Sequence, residues 1–195
     1  MGALKTIEVL FLSRDDVMAL DLTIPEVVAA VESSLVEHSH GTCEMHPKIG
    51  VHPKGTHPAN FIHAMPAYLK SAGACGLKWV GGFAANPARG LPNVTGIQVA
   101  NDPDTGLPLA IFDCSYLTGL RTAAVSAIAA RLCARADARV LALAGCGFQG
   151  RMHLRFLTAL LPGIREVRLY DVRREGAEGV AAEAKAFFAG EVRIA

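Results

Sequence analysis

The spacing of apolar residues changes along the chain and predicts different elements in turn. A short apolar run at 7–12 predicts a strand, and Ser13 begins a brief helical turn after it. Thr23 and Glu26 form a capping box, which is a signature of a helix start, and Gly41 is placed to end that helix. One face of this helix carries the apolar side chains of Val27, Val28, Val31 and Leu35.

Between residues 48 and 113 the apolar residues come in short runs separated by glycine, proline and asparagine. These runs are rich in Ile, Val, Phe and Trp, and they predict strands at 48–52, 60–65, 76–80, 94–100 and 107–112. The turn sequence at 101–106 predicts a hairpin. We therefore expect a mostly antiparallel sheet with the first helices packed on one of its faces.

The last part of the chain alternates strands with helices. Ser115 is placed to cap a long helix with apolar positions at Leu117, Leu120, Val125, Ile128 and Leu132. The following segments predict a strand at 140–144, a helix at 152–161, a strand at 166–170, a helix at 174–188 and a strand at 192–194. This order is the start of a parallel, doubly wound sheet. Since such a sheet normally has about six strands, we expect this chain to be the front portion of a longer polypeptide.

Composition and charge narrow the class of protein. The chain has 195 residues, of which 51% are hydrophobic, and a formal net charge of +1. This apolar fraction excludes a disordered chain. The near-neutral net charge gives no sign of the basic surface that binding to nucleic acid or an anionic membrane requires. No apolar stretch reaches the ~20 residues of a membrane span, and no signal-like segment begins the chain. The five cysteines include no C-x-x-C pair, so we expect reduced thiols and a cytoplasmic location.

A complete G-x-G-x-x-G motif follows the strand predicted at 140–144, and a helix opens behind it. Gly145 permits a tight turn, Gly147 lets the backbone approach a pyrophosphate, and Gly150 lets helix and strand pack closely. The helix N-terminus adds N–H groups and the positive end of a dipole. The motif predicts a dinucleotide site; the alternative is a glycine-rich turn that binds nothing.

Asp171 ends the next predicted strand about 20 positions after the motif, where a dinucleotide fold places its ribose-binding carboxylate. Its charge favours NAD because it would repel the 2′-phosphate of NADP. Arg173 and Arg174 follow directly and are able to accommodate that phosphate, so NADP stays an alternative.

Two cationic residues and a group of histidines are further candidates. The local pattern around Lys78 favours a solvent-facing position, and the alternative is a pocket where desolvation suits it to bind a carboxylate or move protons. Arg121 lies among small residues of the long helix and is either an anion clamp or part of a surface salt bridge. The histidines lack the spacing of a metal site, so we expect no metal at His46, His52, His57 and His63.

Seven segments taken together resemble the ornithine cyclodeaminase/mu-crystallin family. They lie at 45–49, 64–68, 76–80, 86–92, 101–106, 120–124 and 145–150, and the resemblance covers essentially the whole chain. The family includes ornithine cyclodeaminases, an archaeal type of alanine dehydrogenase, and ketimine or cyclic-imine reductases. The resemblance implies an α/β protein. Residues 1–118 would form an α+β domain for substrate binding and dimerisation, and residues 119–195 the first half of a Rossmann domain.

The resemblance also implies roles for single residues. Lys78 matches the family's pocket lysine, which contacts the substrate carboxylate and assists proton movement, and Arg121 matches an arginine beside substrate and cofactor. Lys48 stands where many members bind the substrate carboxylate with an arginine, and Asn93 where a threonine often contacts the cofactor. The cofactor-binding positions, from the motif and the resemblance together, are Asn93, Arg121, Thr122, Gly145, Gly147, Phe148, Gln149, Gly150, Asp171 and Arg173.

The implied function is that of an NAD-dependent enzyme that passes through an α-imine and converts L-ornithine to L-proline and ammonia. Alternatives are an alanine dehydrogenase, a ketimine or cyclic-imine reductase, and a non-catalytic mu-crystallin-like binder of NAD(P)H. The resemblance also implies a homodimer, a small amino acid or cyclic imine as substrate, and a catalytic aspartate beyond residue 195. Without that further part we expect weak cofactor binding and no turnover.

Overall fold

A computed structural model describes residues 6–55 and 57–195 as two compact units. The first unit combines the described residues up to Asp21 with Ser33–Leu117, and the second combines Leu22–Glu32 with Thr118–Ala195. The domain boundary predicted from the sequence lies one residue later, after 118. The same prediction puts the whole helix that begins near residue 24 in the first domain, whereas most of that helix clusters with the second unit.

The first elements follow the capping signals of the sequence. Strand β1 (Leu10–Leu12) is followed by helix α1 (Arg14–Ala19), whose N-cap Ser13 exchanges hydrogen bonds with Asp16. Helix α2 (Ile24–Ser39) begins at the predicted capping box: the Thr23 N–H donates to the Glu26 carboxylate, and the Glu26 N–H donates to the Thr23 hydroxyl. Capping of this kind satisfies N–H groups that have no partner within a helix.

Seven strands of the first unit form one sheet. The further strands are β2 (Cys43–Met45), β3 (Ile49–Val51), β4 (Phe61–Leu69), β5 (Ala74–Gly82), β6 (Val94–Asn101) and β7 (Pro108–Asp113). Their order is β1-β7-β6-β5-β4-β2, and β3 also pairs with β4. β1 runs parallel to β7 and the other pairs are antiparallel, as expected from the sequence. β2 was not predicted, because three residues centred on a glutamate show no apolar run.

The predicted hairpin at 101–106 joins β6 to β7. The Asp102 carboxylate accepts the N–H groups of Asp104 and Thr105, and Gly106 takes a φ of +73°. An aspartate that accepts bonds from its own turn, followed by a glycine in the left-handed region, fixes the reversal. The prediction of this turn is confirmed.

The apolar face predicted for α2 is wrong at the C-terminal end of this helix. Leu35 is exposed, and the buried side chain there is that of Glu37. The Glu37 carboxylate accepts hydrogen bonds from both the N–H and the hydroxyl of Ser71, in the turn between β4 and β5. These bonds hold the pKa of Glu37 below its ordinary value and compensate for the loss of water around the carboxylate.

Helix α3 (Ser115–Cys133) begins at the predicted residue but with a different cap. The Asp113 carboxylate accepts the N–H of Ser115, so the capping side chain is supplied by the end of β7. Val125 and Leu132 are exposed, contrary to the prediction. Small residues make up most of the buried face, which consists of Gly119, Leu120, Ala123, Ala124, Ala127 and Ile128.

The second unit has the predicted parallel order. It contains β8 (Val140–Ala144), α4 (Phe148–Leu160), β9 (Glu166–Tyr170), α5 (Arg174–Ala184) and β10 (Glu191–Ile194). The strands lie in the order β10-β9-β8, and both pairs are parallel. Its core joins apolar residues of the helices to those of the strands, including Leu154, Val167, Leu169, Ala177 and Val180. The chain is therefore an α/β protein, with an α+β sheet unit followed by a parallel β-α-β-α-β unit.

Within residues 6–55 and 57–195, no helix has the length and apolar character needed to cross a membrane. The cysteines in the same part of the chain form no disulfide.

Candidate functional site

The glycine loop between β8 and α4 has the geometry that its sequence motif predicts. Gly145 has a φ of +97°, in the left-handed region that favours glycine, and its N–H donates to the Tyr170 carbonyl at 2.8 Å. A Cβ at Gly150 would collide with the Gly145 carbonyl oxygen, so helix α4 approaches the loop as closely as backbone allows. A Cβ at Gly147 would have nothing within 4 Å, so this glycine faces open space.

Helix α4 begins at this open side of the loop. Its N-cap is Gly147, and among the described residues no side chain caps the helix there. The first N–H groups of a helix have no partner within it, and they carry the positive end of the helix dipole. An uncapped N-terminus beside a glycine that faces open space fits a phosphate group.

Asp171 links this loop to the end of β9. One carboxylate oxygen accepts the N–H of Arg173 at 2.9 Å, and the other accepts the N–H of Cys146, inside the glycine motif, at 2.7 Å. The hydrogen bonds from Arg173 and then Cys146, helped by the charge of Arg173, lower the pKa of Asp171. Because a carboxylate oxygen can accept more than one hydrogen bond, both oxygens keep capacity for a pair of hydroxyls.

Two neighbours of Asp171 were missed by the sequence analysis. A Cβ at Gly176, in helix α5, would lie 3.3 Å from the Asp171 carboxyl carbon, so this glycine leaves room for the carboxylate. Cys146 has a buried side chain, and burial together with the negative charge of Asp171 raises the pKa of its thiol. The thiol is therefore a neutral, packed group under the loop.

The two arginines after Asp171 differ in their partners. The Arg174 guanidinium donates to the Glu178 carboxylate at 3.0 Å, one turn along α5. Arg173 is exposed and close enough to Asp171 for its charge to lower the pKa of that carboxyl. Arg173 is thus the arginine that stands next to the predicted ribose site.

Helix α3 packs against the first turns of α4 on one side. A Cβ at Gly119 would lie 2.7 Å from the Phe148 ring. Two turns further along α3, the Ser126 hydroxyl lies 3.0 Å from Nε2 of His153, whose Nδ1 lies 2.7 Å from the Gln149 carbonyl oxygen. Since a carbonyl only accepts, Nδ1 of His153 donates to Gln149, and in a neutral ring Nε2 is the nitrogen that accepts from the Ser126 hydroxyl.

Thr122 lies between Gly119 and Ser126 on this side of α3, because positions three and four apart share a helix face. Its hydroxyl donates to the Thr118 carbonyl at 2.6 Å. Arg121 is one position off that face and is exposed. Gly119 and Ser126 were not predicted as site residues, because their contacts arise only where the two helices pack.

Lys78 lies on the more buried face of strand β5. Its cross-strand partners are Met65 on β4 and Gln98 on β6, and its neighbour on the same face is Val80, which is 6% exposed. Trp79 points to the opposite face and is 46% exposed. The structure therefore does not bear out the solvent-facing position that the local pattern favours: Lys78 is half-buried.

A histidine cluster lies on the same face of the sheet, beside β3. The His63 ring stacks on Phe61 with 4.2 Å between ring centroids and meets the His52 ring edge-on at 6.0 Å. Burial lowers the pKa of His63, and the charges of Lys48 and His52 lower it further. His63 and Lys78 therefore lie on one face of the sheet, and Lys48 and His52 are close enough to His63 for their charges to lower its pKa.

The other candidates in the first unit have different positions. Asn93 is exposed, directly before β6, and its carbonyl accepts the N–H of Phe83 at 2.8 Å. Among the residues that the structure describes, no three His, Cys, Asp or Glu side chains are grouped to hold a metal ion.

A family model described as the ornithine cyclodeaminase/mu-crystallin family matches residues 7–195. Among curated proteins, the chain is 40% identical over 162 residues to the nodulation efficiency protein NfeD of Rhizobium meliloti, a match that covers 83% of this chain and 49% of that protein. It is 38% identical over 172 residues to the alanine dehydrogenase of Archaeoglobus fulgidus, covering 88% and 51%. The chain thus spans about half the length of these curated relatives.

Solved structures give the same picture. The Δ1-pyrroline-2-carboxylate reductase of Thermococcus litoralis, in complex with NADH and L-proline, superimposes with a TM-score of 0.88 at 30% identity, over 95% of this chain and 56% of that one. An archaeal alanine dehydrogenase dimer with bound NAD superimposes with a TM-score of 0.87 at 34% identity, over 96% and 56%.

Proposed function

The chain belongs to the ornithine cyclodeaminase/mu-crystallin family. From this premise we propose that it binds NAD and is part of an enzyme that acts at the α-carbon of an amino or imino acid. Conversion of L-ornithine to L-proline and ammonia is the first reaction to test. An alanine dehydrogenase, a ketimine or cyclic-imine reductase, and a non-catalytic NAD(P)H-binding protein are the alternatives. The proposed location is the cytoplasm.

The observation that carries the proposal is the link between Asp171 and the glycine loop. Its carboxylate receives two backbone N–H groups, stays ionised, and keeps acceptor capacity for the ribose hydroxyls. Gly147 and the uncapped start of α4 would hold the pyrophosphate, with Phe148 and Gln149 beside it. Arg173 is placed to accept the extra phosphate of NADP, so NADP is retained as an alternative.

Thr122 and Arg121 would complete the cofactor side of the second unit, since α3 packs beside the first turn of α4. Asn93 stays a proposed cofactor contact on the strength of the family resemblance, with an amide in place of the family's threonine. When bound, NAD would accept a hydride from the substrate α-carbon or return one to it. The chain's own residues would hold the substrate in the orientation that this transfer needs.

Lys78 and Lys48 are the proposed substrate residues of the first unit. Lys78 is half-buried between Met65 and Gln98, where a lysine can bind a carboxylate and exchange a proton. Lys48, directly before β3, supplies a second positive charge, which acts on His63 of the same sheet. As a lysine it lacks the two-pronged grip of an arginine, so its contribution is mainly electrostatic.

A second copy of the chain is the proposed partner of the other sheet face. That face carries exposed apolar side chains, among them Phe11 at 71% and Ile49 at 68%, with Val51, Trp79, Ile97 and Leu109. Large exposed apolar patches mark interaction surfaces, and a solved relative of the same fold is a dimer. Light scattering should give the mass of a dimer, and Trp79→Glu should give a monomer.

The first experiment is a fluorescence titration of the 195-residue chain with NADH. We expect saturable enhancement of nicotinamide fluorescence, and at least a tenfold weaker affinity in Asp171→Ala. Glu178→Ala, a surface acid one turn along α5, is the matched control and should bind normally. Unchanged affinity in Asp171→Ala would contradict the proposed site.

The second experiment is turnover by the intact gene product. Proline formed from NAD and ornithine without net NADH indicates a cyclodeaminase, steady NADH from alanine a dehydrogenase, and NADH consumption with a cyclic imine a reductase. NADH binding with no turnover of any of the three substrates favours the non-catalytic alternative.

A further inference from the structure

Two arginines border the turn that leads into β9, at the N-terminal end of the parallel sheet. Arg139 and Arg165 directly precede the first register pair of β8 and β9, and the Arg165 N–H donates to the Arg139 carbonyl at 2.7 Å. Nη1 of Arg139 lies 3.4 Å from the Gly163 carbonyl oxygen. Nη1 of Arg165 donates to the carbonyls of Pro162 and Ile164 at 2.6 and 3.0 Å. Both guanidinium groups therefore meet the same short turn.

The contacts with this turn leave one edge of each guanidinium group available. A Cβ at Gly163 would lie 2.9 Å from Nη1 of Arg139, so the glycine leaves room for that group. Both arginines bond to the turn through Nη1 alone, and within residues 6–55 and 57–195 their Nε and Nη2 atoms meet no acceptor. Nε and Nη2 form the forked edge that binds a carboxylate or phosphate with two parallel hydrogen bonds.

Neither arginine has an acidic partner among the residues that the structure describes. The nearby carboxylates are held by other arginines: Asp137 by Arg135, Glu166 by Arg168, and Glu191 by Arg193. Arg139 and Arg165 thus keep their positive charges at neighbouring positions, directly before two adjacent strands. Like charges so placed repel each other, and an anion bound between them would remove the repulsion.

An open cavity of about 440 Å³ lies beside Arg139. Its lining consists of Arg135, Asp137, Ala138, Arg139 and Val140. The Asp137 carboxylate accepts bonds from Nε and Nη2 of Arg135 at 3.0 and 3.2 Å, so its negative charge is already compensated. The cavity therefore has room for the organic part of a ligand whose anionic group is bound by the free edge of Arg139.

We propose that Arg139 and Arg165 form a binding site for the phosphate group of a small phosphorylated ligand. A single forked edge satisfies a carboxylate, whereas a phosphate group presents three terminal oxygens and a charge of about −2, which suits two forks. The site lies at the opposite end of β8 from the glycine loop, and the five residues of this strand separate the two by roughly 16 Å. It is therefore distinct from the proposed dinucleotide site and does not depend on it.

The experiment is an NMR titration of the chain labelled with ¹⁵N-arginine, in a zwitterionic buffer. The probes are glycerol 3-phosphate, inorganic phosphate and acetate, with sodium chloride at equal ionic strength as the blank. We expect both phosphates to shift the Nε–H signals of Arg139 and Arg165 saturably, and acetate to bind about tenfold more weakly. Glycerol 3-phosphate should bind more tightly than inorganic phosphate, because the cavity receives its organic part. Arg139→Lys and Arg165→Lys assign the two signals.

Matched variants separate a specific site from general charge. Arg139→Ala should weaken phosphate binding about tenfold, measured at the Arg165 signal. Arg139→Lys keeps the charge but loses the fork, so it should recover only part of the affinity. Asp137→Ala removes the carboxylate that lines the cavity and frees Arg135, so binding should become stronger. Arg89→Ala removes an exposed arginine of the first unit and should have no effect.

Four results would overturn the inference: no saturable shift at either arginine, an equal shift with sodium chloride, full affinity in Arg139→Lys, or weaker binding in Asp137→Ala. Equal affinity for glycerol 3-phosphate and either other probe would overturn the assignment to a phosphorylated ligand. The NADH affinity of Arg139→Ala should equal that of the wild type, and a selective loss would contradict a site distinct from the glycine loop. Failure of the wild type to bind NADH would reject the proposed function without affecting this site.

Discussion

The two units place their candidate residues in different ways. In the second unit the ligand would meet backbone: the start of α4, the open side of Gly147, and a carboxylate that is itself fixed by two backbone N–H groups. In the first unit the proposed substrate would instead meet side chains that come from separate strands and lie on one sheet face. A site made of backbone groups is formed by consecutive residues and can be recognised from a local motif. A site made of side chains from several strands depends on the register in which those strands pair.

The largest effect should come from Gly150→Ala in the second unit. The added Cβ would collide with the Gly145 carbonyl, so we expect the free energy of unfolding to fall by about 1–3 kcal/mol and NADH binding to be lost. Thermal unfolding followed by circular dichroism measures the first effect, and NADH fluorescence measures the second.

Gly147→Ala is the matched control for that substitution. Its Cβ would meet nothing within 4 Å, so the melting temperature should stay near that of the wild type. The methyl group would stand where a phosphate approaches, and NADH affinity should still fall. Equal loss of stability in both variants would show that the loop serves folding alone.

Gly50→Ala makes the corresponding test in the first unit. The new Cβ would collide with the His63 ring and would also lie 2.6 Å from the Ile62 carbonyl oxygen, so we expect a stability loss of about 1–2 kcal/mol. Gly81→Ala is the control, since its nearest neighbour would be at 3.5 Å. NADH affinity should be the same in both variants, and a selective loss in Gly50→Ala would contradict the assignment of NADH to the second unit.

Asp171→Asn should alter the pH dependence of stability. Because folding lowers the pKa of Asp171 from 3.8, its contribution is complete above that pH and is lost as the pH falls through the folded-state pKa. The wild type should therefore melt higher than the variant at pH 7, and the difference should shrink under acidic conditions. A difference that is constant with pH would mean that the charge of Asp171 does not stabilise the loop.

The smallest effect should come from the two arginines after Asp171. Arg173→Ala should lower the affinity for NADPH a few-fold, about the value of an exposed ion pair, with little change for NADH. Arg174→Ala removes a residue already paired with Glu178 and should change neither. Competition of NADH and NADPH in the fluorescence titration measures both variants.

The parallel unit could be predicted well from sequence because each of its signals is local. The strand at 140–144, the glycine motif and the next strand follow one another within about 30 residues, the usual length of a βαβ unit. The turn at 101–106 was predictable for the same reason, since Asp102 bonds to its own turn. Capping at Thr23 and Ser13 likewise depends on neighbours three residues away.

The features that sequence reasoning missed are those that join distant residues. Glu37 is buried because Ser71, which lies 34 positions later, meets its carboxylate. Gly119 leaves room for the Phe148 ring, which packs against it, and the local sequence gives no signal of that contact. The position of Lys78 depends on the faces of its neighbouring strands. Periodicity within five residues could not decide between the two faces.

The cationic groups at Lys48 and Lys78, and again at Arg139 and Arg165, have a consequence for the choice of buffer. Groups of this kind concentrate counter-ions, and phosphate, sulfate and citrate carry the same type of charge as the proposed substrate. Such ions would compete with it at millimolar levels. The Debye length is about 8 Å at physiological ionic strength, so monovalent salts would only weakly screen charges that lie closer together than this. A polyanion that enters the site would compete with the substrate directly. Apparent dissociation constants should therefore be lower in zwitterionic media than in phosphate.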